Sequence, residues 1–351
     1  MTDVSTPSTD PAGAADWDPK NYPGMVTRFP AGMTEIVMGL FGIQSCGEEP
    51  PITEIEALRT LLNSADDRTA PVSIERAHYI DGNGWDNQIF VAYWTAPERY
   101  DAWWTSQPVR QWWNALGTDR NFPVGYWREV LVTEADRHQY ATGSTSPAGP
   151  SRFLPLEPSS KFGYWGAYRD RLAASGHDPL ASPLDQLPRP VERATRGKRL
   201  RSRLPQGICY IREGQTWDEC QPLEREVWET KMEPVIGDWV SALGDHPVDT
   251  GCASIRFCRE QDVATGADLE RQSQFGFLLS LGHIEKAART NPVHLAVRSA
   301  FMDMYDNPRF TPQMNIWVEV HVPTPGAITA EYVNCHPQTG FLPFFDVDEL
   351  P

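Results

Sequence analysis

The sequence contains no run of roughly 18 to 20 apolar residues, the length a membrane-spanning helix needs. Its first stretch, MTDVSTPSTDPAGAADWDP, lacks the basic start and apolar centre of a signal peptide, and residues 1–20 read as a disordered tail. The six cysteines (Cys46, Cys209, Cys220, Cys252, Cys258 and Cys335) form neither CxxC nor CxxCH. That excludes a zinc finger, a redox dithiol and covalent attachment of a c-type haem, and it points to reduced thiols in a cytoplasmic protein. HExxH, GxSxG, a Walker loop and a GxGxxG following a strand are all missing, and no Asp/Glu/His set along the chain has metal-ligand spacing. Basic residues are scarce: 31 Lys and Arg stand against 47 Asp and Glu, a formal charge of −16. Such a balance argues against nucleic acid or an anionic membrane as the main partner.

A chain of 351 residues is long enough for two domains or two fused halves. The pattern favours halves. In the first, Ile36–Ser45 reads as a strand and Ile52–Asn63 as a helix, with Thr53 as N-cap and Glu56 completing a capping box. Arg76–Ile80 and Gln88–Trp94 read as strands across the turn-rich DGNGWDN, Glu98–Ala115 as a helical region interrupted at Pro108, and Tyr126–Val132 as a strand. The order is β-α-β-β-α-β, the ferredoxin-like arrangement. Residues 141–160, rich in Thr, Ser, Pro and Gly, read as a linker, and Phe162–Tyr168 as a strand-like insertion ending in Arg169, Asp170 and Arg171. The basic cluster Arg196, Lys198, Arg199, Arg201 and Arg203 reads as a solvated loop or a subunit contact.

The second half repeats the scheme, with strands at Ile208–Arg212, Ala253–Cys258, Phe275–Leu281 and Ile316–Val322 and helices over Thr216–Leu243 and His283–Met304. TSQPVRQWW (105–113) lines up with RTNPVHLAV (289–297), and YWREVLV (126–132) with IWVEVHV (316–322), the sign of a duplicated unit. At the aligned position the first half has Arg110 and the second His294, so only the second could carry a histidine-ligated cofactor.

His294 is followed by Leu295, Val297, Ala300, Phe301 and Met304 at helical steps of three and four. An imidazole in so apolar a stretch is either a buried structural histidine, the commoner case, or an axial ligand to a flat apolar cofactor. Taken by themselves, Arg171 reads as a surface or ion-paired arginine, Glu213 as an exposed carboxylate after the strand ICYIR, and His321 as half-exposed on the strand face it shares with Glu319 and Trp317. His336, in NCHPQTG, sits in a turn with a structural hydrogen bond as its default role.

Several blocks in one order decide between these readings: VMGLFGIQ, WDNQIFVAYW, GYWGAYRDR, IREGQTW, SLGHIEKAARTNPVHL and EYVNCHPQTG. Over nearly its whole length the chain resembles the haem-containing aldoxime dehydratases. The resemblance implies an α+β fold of duplicated ferredoxin-like halves, of the dimeric α+β barrel type, with haem in the C-terminal half. The units would be an N-terminal half at 21–140, the linker, and a C-terminal half at 161–351. It also implies a lyase that turns an aldoxime into a nitrile and water, with haem b held non-covalently and ferrous when active, and a homodimer. His294, in NPVHL, would be the proximal ligand, and Arg171, the second arginine of RDR, would orient the N–O group. Two positions depart from the family's pattern. Its serine before GQxW is Glu213 here, and its histidine in the last strand falls on Val318. A neutral carboxyl at Glu213 could serve as acid and base in their place, as could His321 if the strand carried a gap. Those departures leave open a haem enzyme with different N–O chemistry, or a haem-based ligand binder without catalysis.

Overall fold

A computed structural model describes residues 24–47, 50–63, 66–144, 147–159, 168–305 and 309–351. The tail at 1–20, most of the 162–168 insertion and part of the linker lie outside them. The described residues form fourteen strands: β1 (Met25–Thr27), β2 (Glu35–Ser45), β3 (Ser73–Ile80), β4 (Asp86–Trp94), β5 (Val124–Glu134), β6 (His138–Thr142), β7 (Leu156–Pro158), β8 (Arg199–Ser202), β9 (Cys209–Thr216), β10 (Cys252–Gln261), β11 (Asp268–Leu278), β12 (Asn315–His321), β13 (Ile328–Val333) and β14 (Val347–Glu349). They make one antiparallel sheet, in the order β14-β8-β13-β5-β2-β4-β3-β10-β11-β9-β12-β6-β1-β7. Within it the first-half strands run β5-β2-β4-β3 and the second-half strands β12-β9-β11-β10, the same order by position in the half, joined edge to edge where His78 meets Arg259.

The sheet curls, because residues many strands apart touch across its inner face. Tyr93 on β4 donates to Glu319 on β12 at 2.8 Å, and Arg256 on β10 makes two 2.7 Å bonds to Glu129 on β5. Arg212 lies between Glu75 and Glu260 at 2.6 and 2.7 Å. These buried charges are tolerated because each is paired and hydrogen-bonded, and removing one partner of such a pair costs about 3–5 kcal/mol. Strands buried on both faces read as near-continuous apolar runs, as β2, EIVMGLFGIQS, does.

Helices cover the outer face. Over the first half lie α1 (Ile52–Asn63), α2 (Pro97–Thr105) and α3 (Gln107–Ala115), and Phe41, Trp94, Tyr100, Trp103, Trp104 and Trp113 fill the space beneath them. Helix α1 starts one residue before Thr53, so Thr53 lies inside the first turn rather than at the cap; Glu56 bonds Arg59 instead, at 2.9 Å. The break between α2 and α3 falls at Ser106, with Pro108 in the first turn of α3, where its missing N–H does no harm. Over the second half lie α4 (Pro222–Val227), α5 (Glu233–Asp245), α6 (Pro247–Thr250), α7 (Leu281–Thr290) and α8 (Pro292–Tyr305), with one π-helical turn at Trp228–Met232 joining α4 to α5.

The basic cluster is not a free loop, since Arg199–Ser202 form β8. Its members are consumed within the chain: Arg199 caps carbonyls of Trp113 and Leu116, Arg201 pairs with Glu331, Lys198 with Glu349 and Arg203 with Asp348. No helix among the described residues is long and apolar enough to cross a membrane. All six cysteines are free.

Candidate functional site

The expected single helix from His283 to Met304 is two helices, and the break builds the site. Asn291 ends α7, its N–H bonding the Ala287 carbonyl, and its side-chain Oδ1 accepts the Val293 N–H at 2.9 Å, capping α8. Pro292 then occupies the first position of α8. It has no N–H, so the Ala288 carbonyl four residues back lacks its intrahelical donor. The His294 ring supplies one by hydrogen-bonding that carbonyl. An imidazole pinned this way at one nitrogen has its tautomer and orientation set, as is usual for a metal-ligating histidine. Burial pushes His294 below its ordinary pKa, which favours the neutral ring that metal ligation requires.

The packing face of α8 is Val293, Val297, Ala300, Phe301 and Met304. Leu295 is 44% exposed and lies outside it, one position off the stripe expected from spacing.

Between the outer face of the second-half sheet and α5, α7 and α8 lies a narrow cavity of about 20 Å³, room for about one water. Ile211, Glu213, Ile255 and Gln274 line its sheet side; Trp239, Val240, Leu243, Ile284, Ala288 and His294 line its helix side. Trp239 packs edge-on to the His294 ring at 4.8 Å. The matching space in the first half is filled by indoles, and Arg110, aligned with His294, is exposed. Among the described residues the second half places a histidine at such a cavity, where the first half packs indoles.

Glu213 is not in a turn. Strand β9 runs on to Thr216, and Glu213 sits in its middle, paired with Val318 on one side and Gln274 on the other, its side chain partly buried in the cavity wall. The strand continues because Gly214 lets the Trp317 indole of β12 lie against the backbone: a Cβ there would come within 2.0 Å of that ring. Desolvation raises the Glu213 pKa, and the Tyr168 hydroxyl, donating to its Oε1 at 3.1 Å, pulls partly the other way. Tyr168, not singled out by the sequence, thus joins the site directly.

Arg171 does not line the cavity. Its Nε donates to Gln139 Oε1, and its guanidinium stands 5.8 Å from the centre of the Tyr168 ring. Burial pushes its pKa down to about 10.

His321 belongs elsewhere. Strand alternation puts Val318 and Val320 on the cavity face and Glu319 and His321 on the inner face. There His321 is wholly buried, its Nδ1 bonded to Thr133 at 2.9 Å and its Nε2 to Glu319 at 2.7 Å. The register of β12 against β9 is regular, so His321 faces away from the cavity that Glu213 lines. His336 keeps the structural role expected of it, its N–H donating to Gln44 at 2.6 Å.

The donor set suits a haem: apolar walls, one oriented neutral imidazole on the helix side, and a carboxyl with an amide on the sheet side. Comparison with known proteins agrees. The haem-containing dehydratase family matches residues 39–341. A phenylacetaldoxime dehydratase of Bacillus sp. (strain OxB-1) is 36% identical over 92% of both chains. An aliphatic aldoxime dehydratase of Pseudomonas chlororaphis is 29% identical over 92% of this chain and 90% of its own. The crystal structure of an aldoxime dehydratase superposes with a TM-score of 0.81 at 27% identity, covering 92% of this chain and 91% of that one. Another aldoxime dehydratase, in complex with butyraldoxime, gives 0.81 at 26% identity, covering 92% and 89%.

Proposed function

The chain belongs to the haem-containing dehydratase family, and we propose that His294 is its iron ligand, Glu213 its proton-transfer group and Arg171 its positioning residue. The protein is a lyase that uses haem to convert an aldoxime, R–CH=N–OH, into a nitrile and water. The observation that carries the site assignment is the cavity whose opposite walls hold a pinned imidazole and a desolvated carboxyl.

His294 would hold haem b there, and in its ferrous state the haem would supply an iron able to bind the oxime nitrogen and donate electrons toward the N–O bond. The protein moves the protons. Glu213, whose acid form burial favours, gives its proton to the oxime hydroxyl, which leaves as water. The resulting carboxylate, held by the Tyr168 hydroxyl, takes the carbon-bound proton and returns to the acid form. One residue thus does both transfers, and the substitution of valine at 318 costs nothing. Arg171, tethered to Gln139 with its guanidinium over the Tyr168 ring, would hold Tyr168 against Glu213.

The matched strand orders and the aligned Pro-Val and Trp-x-Glu-Val segments support duplicated ferredoxin-like halves, at 21–140 and 161–351, curled as in a dimeric α+β barrel. A homodimer and a cytoplasmic setting complete this reading: Leu295 and Met302 give α8 an apolar outer surface, and the free thiols suit a reducing compartment.

The test is spectral and chemical. Purified with haem supplied and reduced under anaerobic conditions, the protein is expected to show a Soret band that shifts when an aldoxime is added, with nitrile appearing in step. A shift with no nitrile would make it a ligand binder instead, and no Soret band would remove the haem assignment. Replacing Tyr168 with Phe deletes the bond that favours the Glu213 anion, so the alkaline limb of the rate profile should move up by up to about one pH unit, since a hydrogen bond is worth about 1 kcal/mol and a pH unit 1.36. An unmoved limb would detach Tyr168 from the acid.

A further inference from the structure

We propose that His138, Glu319 and His321 form a second metal site, for one structural divalent transition ion such as Zn²⁺, on the inner face of the sheet and away from the haem cavity. His138 and His321 are directly opposed on β6 and β12, and Glu319 lies two residues before His321 on the same face. The three side chains have no exposure to solvent, and their ligand atoms lie within 4.8 Å of one another.

Charge is the first argument. Glu129 stands two residues after Trp127 on β5, and Glu319 two residues after Trp317 on β12. Each tryptophan faces a glycine of the neighbouring strand, Gly42 or Gly214, so the two glutamates hold matching positions in the halves. Glu129 is neutralised by the two-pronged Arg256 guanidinium, and Glu75 and Glu260 have Arg212 and Arg271. Among the described residues no arginine reaches Glu319. Where its counterpart has a guanidinium, Glu319 has two imidazoles. A buried carboxylate needs a compensating cation, and a metal ion held by neutral imidazoles supplies one.

The second argument is an unmet need. Both ring nitrogens of His138 are buried without a hydrogen-bond partner, and so is the hydroxyl of Tyr210, whose ring lies 5.7 Å from that of His321. Orphans gathered at one point indicate an absent ion or water.

Geometry is the third. His321 Nε2 and His138 Nε2 lie 2.7 and 3.7 Å from Glu319 Oε1. Ligands of a tetrahedral zinc with bonds of 2.0–2.1 Å stand roughly 3.3 Å apart, between those values. The outer contacts are those of ligating groups: the far nitrogen of His321 bonds Thr133, and the other oxygen of Glu319 accepts from Tyr93. With no route to solvent the site is closed, which suits a structural ion that clamps β6 to β12 rather than a catalytic one.

Holoenzyme grown in zinc-supplemented medium and purified without chelator should carry about one non-haem divalent metal per chain, counted by mass spectrometry of the metals against haem from its pyridine adduct. His138→Ala and Glu319→Gln should lose that metal and melt at lower temperature, yet keep the wild-type Soret band, since both sit across the sheet from His294. Wild-type protein with under about a tenth of a metal per chain, even after refolding in Zn²⁺, would overturn the proposal and leave a shared proton or trapped water at Glu319. Metal retained in both variants would overturn it equally. Should the variants fail to fold, X-ray absorption at the zinc edge of the wild type decides: two imidazoles with only N and O ligands sustain the site, and sulfur ligands remove it.

Discussion

His294→Ala is expected to purify largely free of haem, or with a spectrum lacking the wild-type axial ligation. Among the described residues that line the cavity His294 carries the only imidazole, and none is a cysteine that could replace it. Loss of an outer-shell partner alone typically costs 10- to 100-fold in metal affinity, so loss of the ligand itself should exceed about that factor. The fold should survive. The ring packs against Trp239 at the edge of a helix that is only half-buried, and truncation leaves the Asn291 cap and the Pro292 start intact. Far-UV circular dichroism therefore separates haem loss from unfolding, and titration of the variant with haem reads the affinity directly. Exogenous imidazole should restore part of the Soret band by occupying the space the side chain vacates. A variant that binds haem with an unaltered spectrum would end the assignment of His294.

The frame of the fold was legible in the sequence because each strand of the two halves is a short apolar or alternating run between turn residues. The order β-α-β-β-α-β could be read from β2, α1, β3, β4 and β5 directly. What escaped rested on partners distant in the chain or on a break that local spacing concealed. Glu213 looked like the end of its strand because a charge followed by Gly214 resembles a turn; only the indole of Trp317, 103 residues on in the chain and facing that glycine, explains why the strand continues. The split between α7 and α8 was signalled by Asn291-Pro292, yet the helical spacing on either side hid it. The consequence, an orphan Ala288 carbonyl that pins His294, is visible only once the break is placed. His138 carried no signal at all. Its partners lie 181 and 183 residues away, on a strand brought alongside β6 by the curl of the sheet, and the single local hint is the Glu-x-His alternation of β12.

Glu213→Gln should leave haem binding and the ferrous–aldoxime spectrum intact while lowering turnover by about 10²- to 10⁴-fold, the range for removing a general acid or base. Glutamine keeps the volume and can still meet the Tyr168 hydroxyl, but it cannot release a proton to the oxime oxygen or take one from carbon. The pH dependence has a definite sign. Burial raises the Glu213 pKa above the ordinary carboxyl range, and the protonated form starts the reaction. The rate is therefore sustained below that pKa and falls as pH rises through it; a serine or histidine donor would not give a limb that vanishes with this one carboxyl. Glu213→Asp, which keeps the acid but withdraws it by one methylene, should recover part of the rate and retain the limb. His321→Ala offers the decisive contrast, because its ring sits on the other side of the sheet from the cavity. Its substitution should change stability and metal content before it changes the chemistry, and a variant pair in which Glu213→Gln turns over normally while His321→Ala, still folded and haem-loaded, does not would reverse the roles assigned to the two faces of β12.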